Sequence, residues 1–392
     1  MSGKAINDLG YLLLNSLLRE SDGTSNIFLS PASLFTALTL ALNGAGVDTN
    51  THSQLFHLLR GSSASADSSQ FAEPTLNSGL KELIDSWSLV SSTATGSDQD
   101  GQPSPTLLMA NGIFAKRGTI TLMQPAYTQL MSSLFQASAR EVSSPQDIND
   151  WVSTATKGKI PELLNPSQQF EAVLCNVLYF KGFWKSAFKK SLTSPRVFHA
   201  PSGDVEVPTM VGVFEKAEKI TVLTFPGKYN AISLPYKGGR FSALVALPDE
   251  GVSMQDALHA FVQGDKDAHA EQIQVRVPSR TEIIMPKFKS GFSIELKDAL
   301  QELGVKDAFL SGKADFSRLS EGLFVSSVIH KTVVEVDEEG TVAAAATAVA
   351  MNRCLALPEE EPLSIEFNRP FMFSIQDLTT ATMMFVGVVQ LP

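Results

Sequence analysis

Nine consecutive residues, AVLCNVLYF from Ala172 to Phe180, carry no charge and a single amide, Asn176. The run has no helical period, and its branched and aromatic residues favour a strand. A strand without a polar face cannot lie on a surface. It must be covered on both sides, as in a sheet buried between two layers. Any fold for this chain has to supply both covers.

Helical patterning fills the first third. Asn7 to Arg19 places apolar residues at helical spacing. Ser30 reads as an N-cap with Pro31 at the first helical position, and the helix runs from Leu34 to Asn43 until Gly44 and Gly46 end it. Further helices are expected near Leu80 to Leu89, over Gln124 to Phe135 and over Pro145 to Gly158. Gly61 to Gln70 and Ser91 to Pro105 are rich in Ser, Gly, Asp and Pro and read as loops. After Ala172 strands dominate: Val222 to Tyr236, Arg240 to Pro248, two over Gln272 to Phe288, one ending at Val336, and a C-terminal pair over Pro362 to Leu391. Between them, Phe292 to Leu303 reads as an amphipathic helix that stops at Gly304. No linker divides the chain, so a single α+β domain over residues 1–392 is expected.

Several function classes lose support. The net charge of −10 argues against nucleic acid as a partner. The longest uncharged apolar stretches, Leu34 to Leu42 and Val342 to Met351, are too short to span a bilayer, so no membrane is expected. The two cysteines, Cys175 and Cys354, give no disulfide framework. With no leader pattern and no N-glycosylation sequon, the expected location is cytoplasmic, with unconventional release as the alternative. None of the six histidines has metal-ligand spacing, and GxSxG, P-loop and GxGxxG motifs are absent. No metal, no cofactor and no enzymatic activity are expected.

One segment needs its own explanation. EEGTVAAAATAVAMNRCLALPEEEP, Glu338 to Pro362, follows the strand pattern VVEV. Alanine favours helix, yet the run has no large apolar anchors beyond Val342, Val349 and Met351. A weakly anchored stretch between two strands reads as an exposed loop. Its small residues let it take more than one conformation.

Motifs along nearly the whole chain resemble those of the serpin family. They include NIFLSPASL (Asn26 to Leu34), INDWVSTATKGKIPELL, LCNVLYFKGFWKSAF, LPYKGGRFSALVALP, MPKFKSGFSIELKDALQELGVKDAF, HKTVVEVDEEGTVAAAAT, FNRPFMFSI and FVGVV. The resemblance implies three β-sheets, about nine helices and an exposed reactive-centre loop over roughly residues 340–362. It implies a suicide-substrate inhibitor whose partner is a serine or papain-like cysteine protease, held as a covalent acyl complex. It also implies a monomer able to form loop–sheet polymers. The alternative within the family is a non-inhibitory chaperone, carrier or storage protein.

The same resemblance assigns a hinge over Glu338, Glu339, Gly340, Thr341, Val342, Ala343, Ala344, Ala345, Ala346 and Thr347. Val342 stands where the family usually has Glu. Ser30, Ser33, Asn176 and His330 are expected to form a polar cluster under the sheet, and Trp184 to lie where the hinge enters. Family spacing from Glu338 puts the reactive bond at Cys354–Leu355, with Arg353–Cys354 as the alternative. Cys354 suits chymotrypsin- or elastase-like pockets, whereas Arg353 suits a trypsin-like one.

Overall fold

A computed structural model describes residues 3–61, 72–93, 105–118, 123–263, 273–340 and 363–392. The amino-terminal part gives α1 (Gly3–Glu20), β1 (Ile27–Leu29), α2 (Pro31–Gly44), α3 (Asn50–Arg60) and α4 (Glu73–Thr93). Next come β2 (Thr106–Lys116), α5 (Pro125–Phe135), β3 (Ser138–Val142), α6 (Pro145–Ala155) and β4 (Ala172–Lys181). The hairpin β5 (Ser194–Ala200) and β6 (Gly203–Glu215) precedes β7 (Thr221–Phe225), β8 (Tyr229–Pro235) and β9 (Phe241–Pro248). Then follow α7 (Met254–Gln263), β10 (Gln274–Arg276), β11 (Arg280–Pro286), β12 (Phe288–Glu295), α8 (Lys297–Glu302) and β13 (Ser327–Val336). The chain closes with β14 (Leu363–Glu366), β15 (Phe371–Asp377) and β16 (Thr382–Val389).

The three expected sheets are present, with eight α-helices among the described residues. Strand orders are β1-β16-β15-β9-β8-β7-β10, β14-β11-β6-β5 and β12-β13-β4-β2-β3. β4 occupies the centre of the five-stranded sheet and is covered on both faces, as its composition demands. Leu174, Leu178 and Phe180 enter the main core, which α2 shares. Val173, Cys175, Val177 and Tyr179 form a second core with Ile148 and Val152 of α6. Helix α2 is buried along its whole length, capped by the Ser30 side chain, which accepts a hydrogen bond from Ser33 N, with Pro31 in the first turn.

One expected element is corrected. Phe292 to Glu295 is strand, not helix, and only Lys297–Glu302 is helical. The backbone there pairs with β13, Phe292 opposite Thr332 and Ile294 opposite His330. That pairing satisfies the amides that a helix would have used. Helices α3 and α7, strand β2 and the β5–β6 hairpin are further elements that local pattern did not reveal.

Candidate functional site

β4 and β13 are parallel neighbours, in register from Val173 opposite Ser327 to Tyr179 opposite Val333. Both are antiparallel to their outer partners, β2 and β12. A chain that leaves the end of β13 and turns back is therefore aimed between β13 and β4. The turn is present: Asp337 N donates to Gly340 O at 3.1 Å, and Gly340 N donates to Asp337 O at 3.2 Å. Gly340 also forms an antiparallel bridge with Phe183, just beyond the end of β4. It thus lies between the extensions of both strands. Its φ of 114° and the 2.5 Å that would separate an added Cβ from Gly182 O both require glycine.

Groups from the segment after β4 hold this turn. Trp184 N donates to Glu339 O at 2.9 Å and Phe188 N to Glu338 O at 2.7 Å. Trp184 Nε1 donates to Asp337 O at 2.9 Å, while its ring stacks on Tyr236 with centroids 4.4 Å apart. The buried Glu338 carboxylate accepts from Thr193 Oγ1 at 2.7 Å and pairs with Lys287 Nζ at 2.9 Å. Burial alone would raise its pKa; the hydrogen bonds from Thr193 and Lys287 outweigh that and hold it below the usual range.

Further down the same sheet a row of polar residues crosses it. Asn111 of β2, Asn176 of β4 and His330 of β13 lie opposite one another in register. Ser30 N donates to His330 Nε2 at 3.0 Å. An amide N–H can only donate, so Nε2 is the unprotonated nitrogen, and Nδ1–H donates to Asn176 Oδ1. Asn176 Nδ2 reaches Ile329 O at 3.4 Å, and Ser33 Oγ donates to Asn111 Oδ1 at 3.1 Å. Thr332 Oγ1 donates to Phe28 O at 3.2 Å. Burial drives the His330 pKa down to about 3, with the Asn176 hydrogen bond opposing it, so the ring is neutral. The row ties β2, β4 and β13 to the start of α2 across the line where β4 meets β13.

A family profile described as Serpin (serine protease inhibitor) matches residues 4–392. The chain belongs to the serpin family. It is 32% identical to mouse leukocyte elastase inhibitor A over 408 residues, covering 98% of both chains. An uncharacterised serpin-like protein of Thermococcus kodakarensis is 31% identical, over 99% of this chain and 85% of its own. The crystal structure of tengpin, a thermophilic serpin in its native state, matches with a TM-score of 0.78 at 25% identity, over 100% of this chain and 95% of tengpin.

Within this serpin, Ser30, Ser33, Asn176 and His330 gather in one cluster, while Trp184 joins Glu338, Glu339 and Gly340 in another. Thr341 to Thr347, Arg353, Cys354 and Leu355 lie outside the described residues. Asn111, Thr332, Thr193, Lys190 and Lys287 are members of the two clusters that sequence reasoning missed. Asn111 had a signal, being an amide within the largely apolar run Thr106–Lys116. Cys175 is a buried thiol whose pKa burial pushes well up, which makes it inert. No group of three or more potential metal ligands occurs among the described residues. No described helix is long and apolar enough to cross a membrane.

Proposed function

We propose that the protein is a suicide-substrate inhibitor of proteases that traps its target by inserting the cleaved loop as a new strand between β4 and β13. The observation that carries this reading is the double bridge of Gly340 to Phe183 and Asp337. Each residue after Gly340 would step down one position on both neighbours. Thr341 would then meet Val336 and Gly182, and Thr347 would meet His330 and Asn176. The two counts agree with the existing pairing of His330 opposite Asn176. Thr341, Ala343, Ala345 and Thr347 would share the face of Leu178 and Phe180, which points into the main core. Small side chains are needed there because a packed interior has no room for large ones. Val342 would fall on the other face, between Lys181 and Glu335.

In the proposed sequence, the chemistry precedes the insertion. The protease nucleophile adds to the carbonyl of Cys354, the bond to Leu355 breaks, and the amine of Leu355 leaves with a proton supplied by the protease. The chain ending at Cys354 is now an ester or thioester on the protease and is free to insert. Insertion carries the protease away from its productive geometry before water can release it. Cys354 as the reactive residue favours chymotrypsin- and elastase-like serine proteases, and the leukocyte elastase inhibitor relative supports that class. Papain-like cysteine proteases remain within the proposal. The whole chain, residues 1–392, acts as one domain, since the sheet that opens draws strands from Thr106 to Val336.

The test is incubation with pancreatic elastase, chymotrypsin, trypsin and cathepsin L, followed by denaturing electrophoresis. An SDS-stable complex is expected with at least one of them. Mass spectrometry of the released fragment should begin at Leu355; a fragment beginning at Cys354 would move the bond to Arg353–Cys354. Cleavage by every protease without complex would overturn inhibition and leave the carrier or chaperone reading.

A further inference from the structure

A further group at the turn is Lys190, which pairs with Glu339. It lies in a 3-10 turn, Lys190–Leu192, that leads into β5. Its Nζ sits 2.6 Å from Glu339 Oε1. The lysine is 60% exposed, whereas the Glu339 side chain is only 19% exposed. Glu339 Oε2 is buried without a hydrogen-bond partner among the described residues. Three acids, Asp337, Glu338 and Glu339, are consecutive in this turn. Glu338 has Lys287 and Thr193; Glu339 has Lys190.

Without Lys190, Glu339 would keep a largely buried carboxylate beside two other acids and lose its cation. Such a group must swing into solvent or take up a proton. Swinging outward rotates residue 339, whose carbonyl accepts from Trp184 N and whose successor is Gly340. The turn would loosen at the position where both bridges form. The hydrogen bond that Lys190 donates to Glu339 raises the lysine's pKa, in keeping with a working ion pair.

We infer that Lys190 is a positioning residue for strand insertion: through Glu339 it keeps the 337–340 turn closed, so the new strand extends from a ready-made nucleus. This rests on the insertion reading above. Antiparallel pairing starts at a turn, and closing one fixes backbone before its hydrogen bonds compensate. A turn that is already closed removes that step. Insertion races deacylation, so its rate appears in the ratio of trapped protease to cleaved, released inhibitor.

The experiment compares wild type, Lys190→Ala, Lys190→Arg and Glu339→Gln, with the protease that the wild type traps best in the screen. The temperature is one at which the wild type already releases a measurable cleaved fraction, so that the ratio tracks insertion. Lys190→Ala and Glu339→Gln should raise the ratio of released to trapped inhibitor about two- to five-fold, the range expected of a partly exposed ion pair. Lys190→Arg should stay close to wild type. About 1 M NaCl, where screening reaches within about 3 Å, should move the wild type toward Lys190→Ala and move Lys190→Ala less, since that variant keeps the Lys287–Glu338 pair at the turn but has lost the Lys190–Glu339 one. A merely structural role for Lys190 would not give that salt pattern. A wild type that traps protease while Lys190→Ala partitions identically overturns this inference alone. A wild type that traps none overturns the insertion reading and this inference with it.

Discussion

Burial sets the chemistry of His330. Its ring accepts from Ser30 N, donates to Asn176, and has its pKa driven down to about 3 from an ordinary value near 6.5. The unfolded chain therefore binds a proton at this residue below about pH 6.5, whereas the native state does not until about pH 3. More protons on the unfolded side mean that stability falls as pH drops through that window, by up to about 1.4 kcal/mol per unit from this group. Above about pH 6.5 the ring is neutral in both states and adds no slope. His330→Gln keeps an acceptor for Ser30 N–H and a donor for Asn176 but cannot titrate. Urea denaturation at steps from pH 7 to pH 4 should therefore show a shallower loss of stability in His330→Gln than in the wild type. Parallel slopes would mean that protons enter the acid transition elsewhere. The same cluster explains why an unbroken apolar strand carries Asn176: the amide pairs β4 with β13 where a nonpolar residue could only pack.

Between β13 and the residues that follow it, the decisive element is the Asp337–Gly340 turn. In the proposed insertion, its direction would put Thr341 on the core side of the new strand, opposite Val336 and Gly182. Thr341→Arg would place a guanidinium there without a partner, which a packed interior does not tolerate. The expected result is a chain that is cleaved and released rather than trapped, seen as loss of the SDS-stable band. The intact molecule should keep its denaturation midpoint. Undiminished complex would contradict both the register and the direction of insertion. How much of this was legible follows from where each partner lies in sequence. β4 could be read directly, because nine uncharged residues, eight of them apolar, without helical period admit few alternatives. The capped start of α2 was equally local, with Ser30 bonding to Ser33 three residues on. The end of β12, Phe292 to Glu295, was misread as the start of the helix that follows it, and only its pairing with β13 decides the matter. Asn111 escaped notice because its partner Ser33 is 78 positions away. Lys190 and Lys287 could not be placed from sequence, since no local pattern says which lysine faces which glutamate.

At the scale of the whole molecule, the proposed insertion would turn the five-stranded sheet into a six-stranded one. β4 and β13 pair in parallel only because nothing lies between them, and an antiparallel strand placed there would bond to both. About ten net hydrogen bonds at about 1 kcal/mol each would add on the order of 10 kcal/mol, before any apolar burial. That is as large as the total stability of many domains. An intact chain that withholds this much free energy is kept native by a rate rather than by an equilibrium. On the proposed mechanism, cutting the loop would free one end and let the strand enter. The gain should appear as heat resistance, because for a chain of this size about 10 kcal/mol moves the unfolding midpoint by on the order of 10–20 °C. Scanning calorimetry before and after limited cleavage within residues 341–362 measures this without any need to know the target protease. The cleaved form is expected to unfold well above the intact form, with both fragments still associated. An unchanged or lower midpoint would mean that the loop ends where it was cut. The paired β4 and β13 would then be a finished sheet rather than a receptive one.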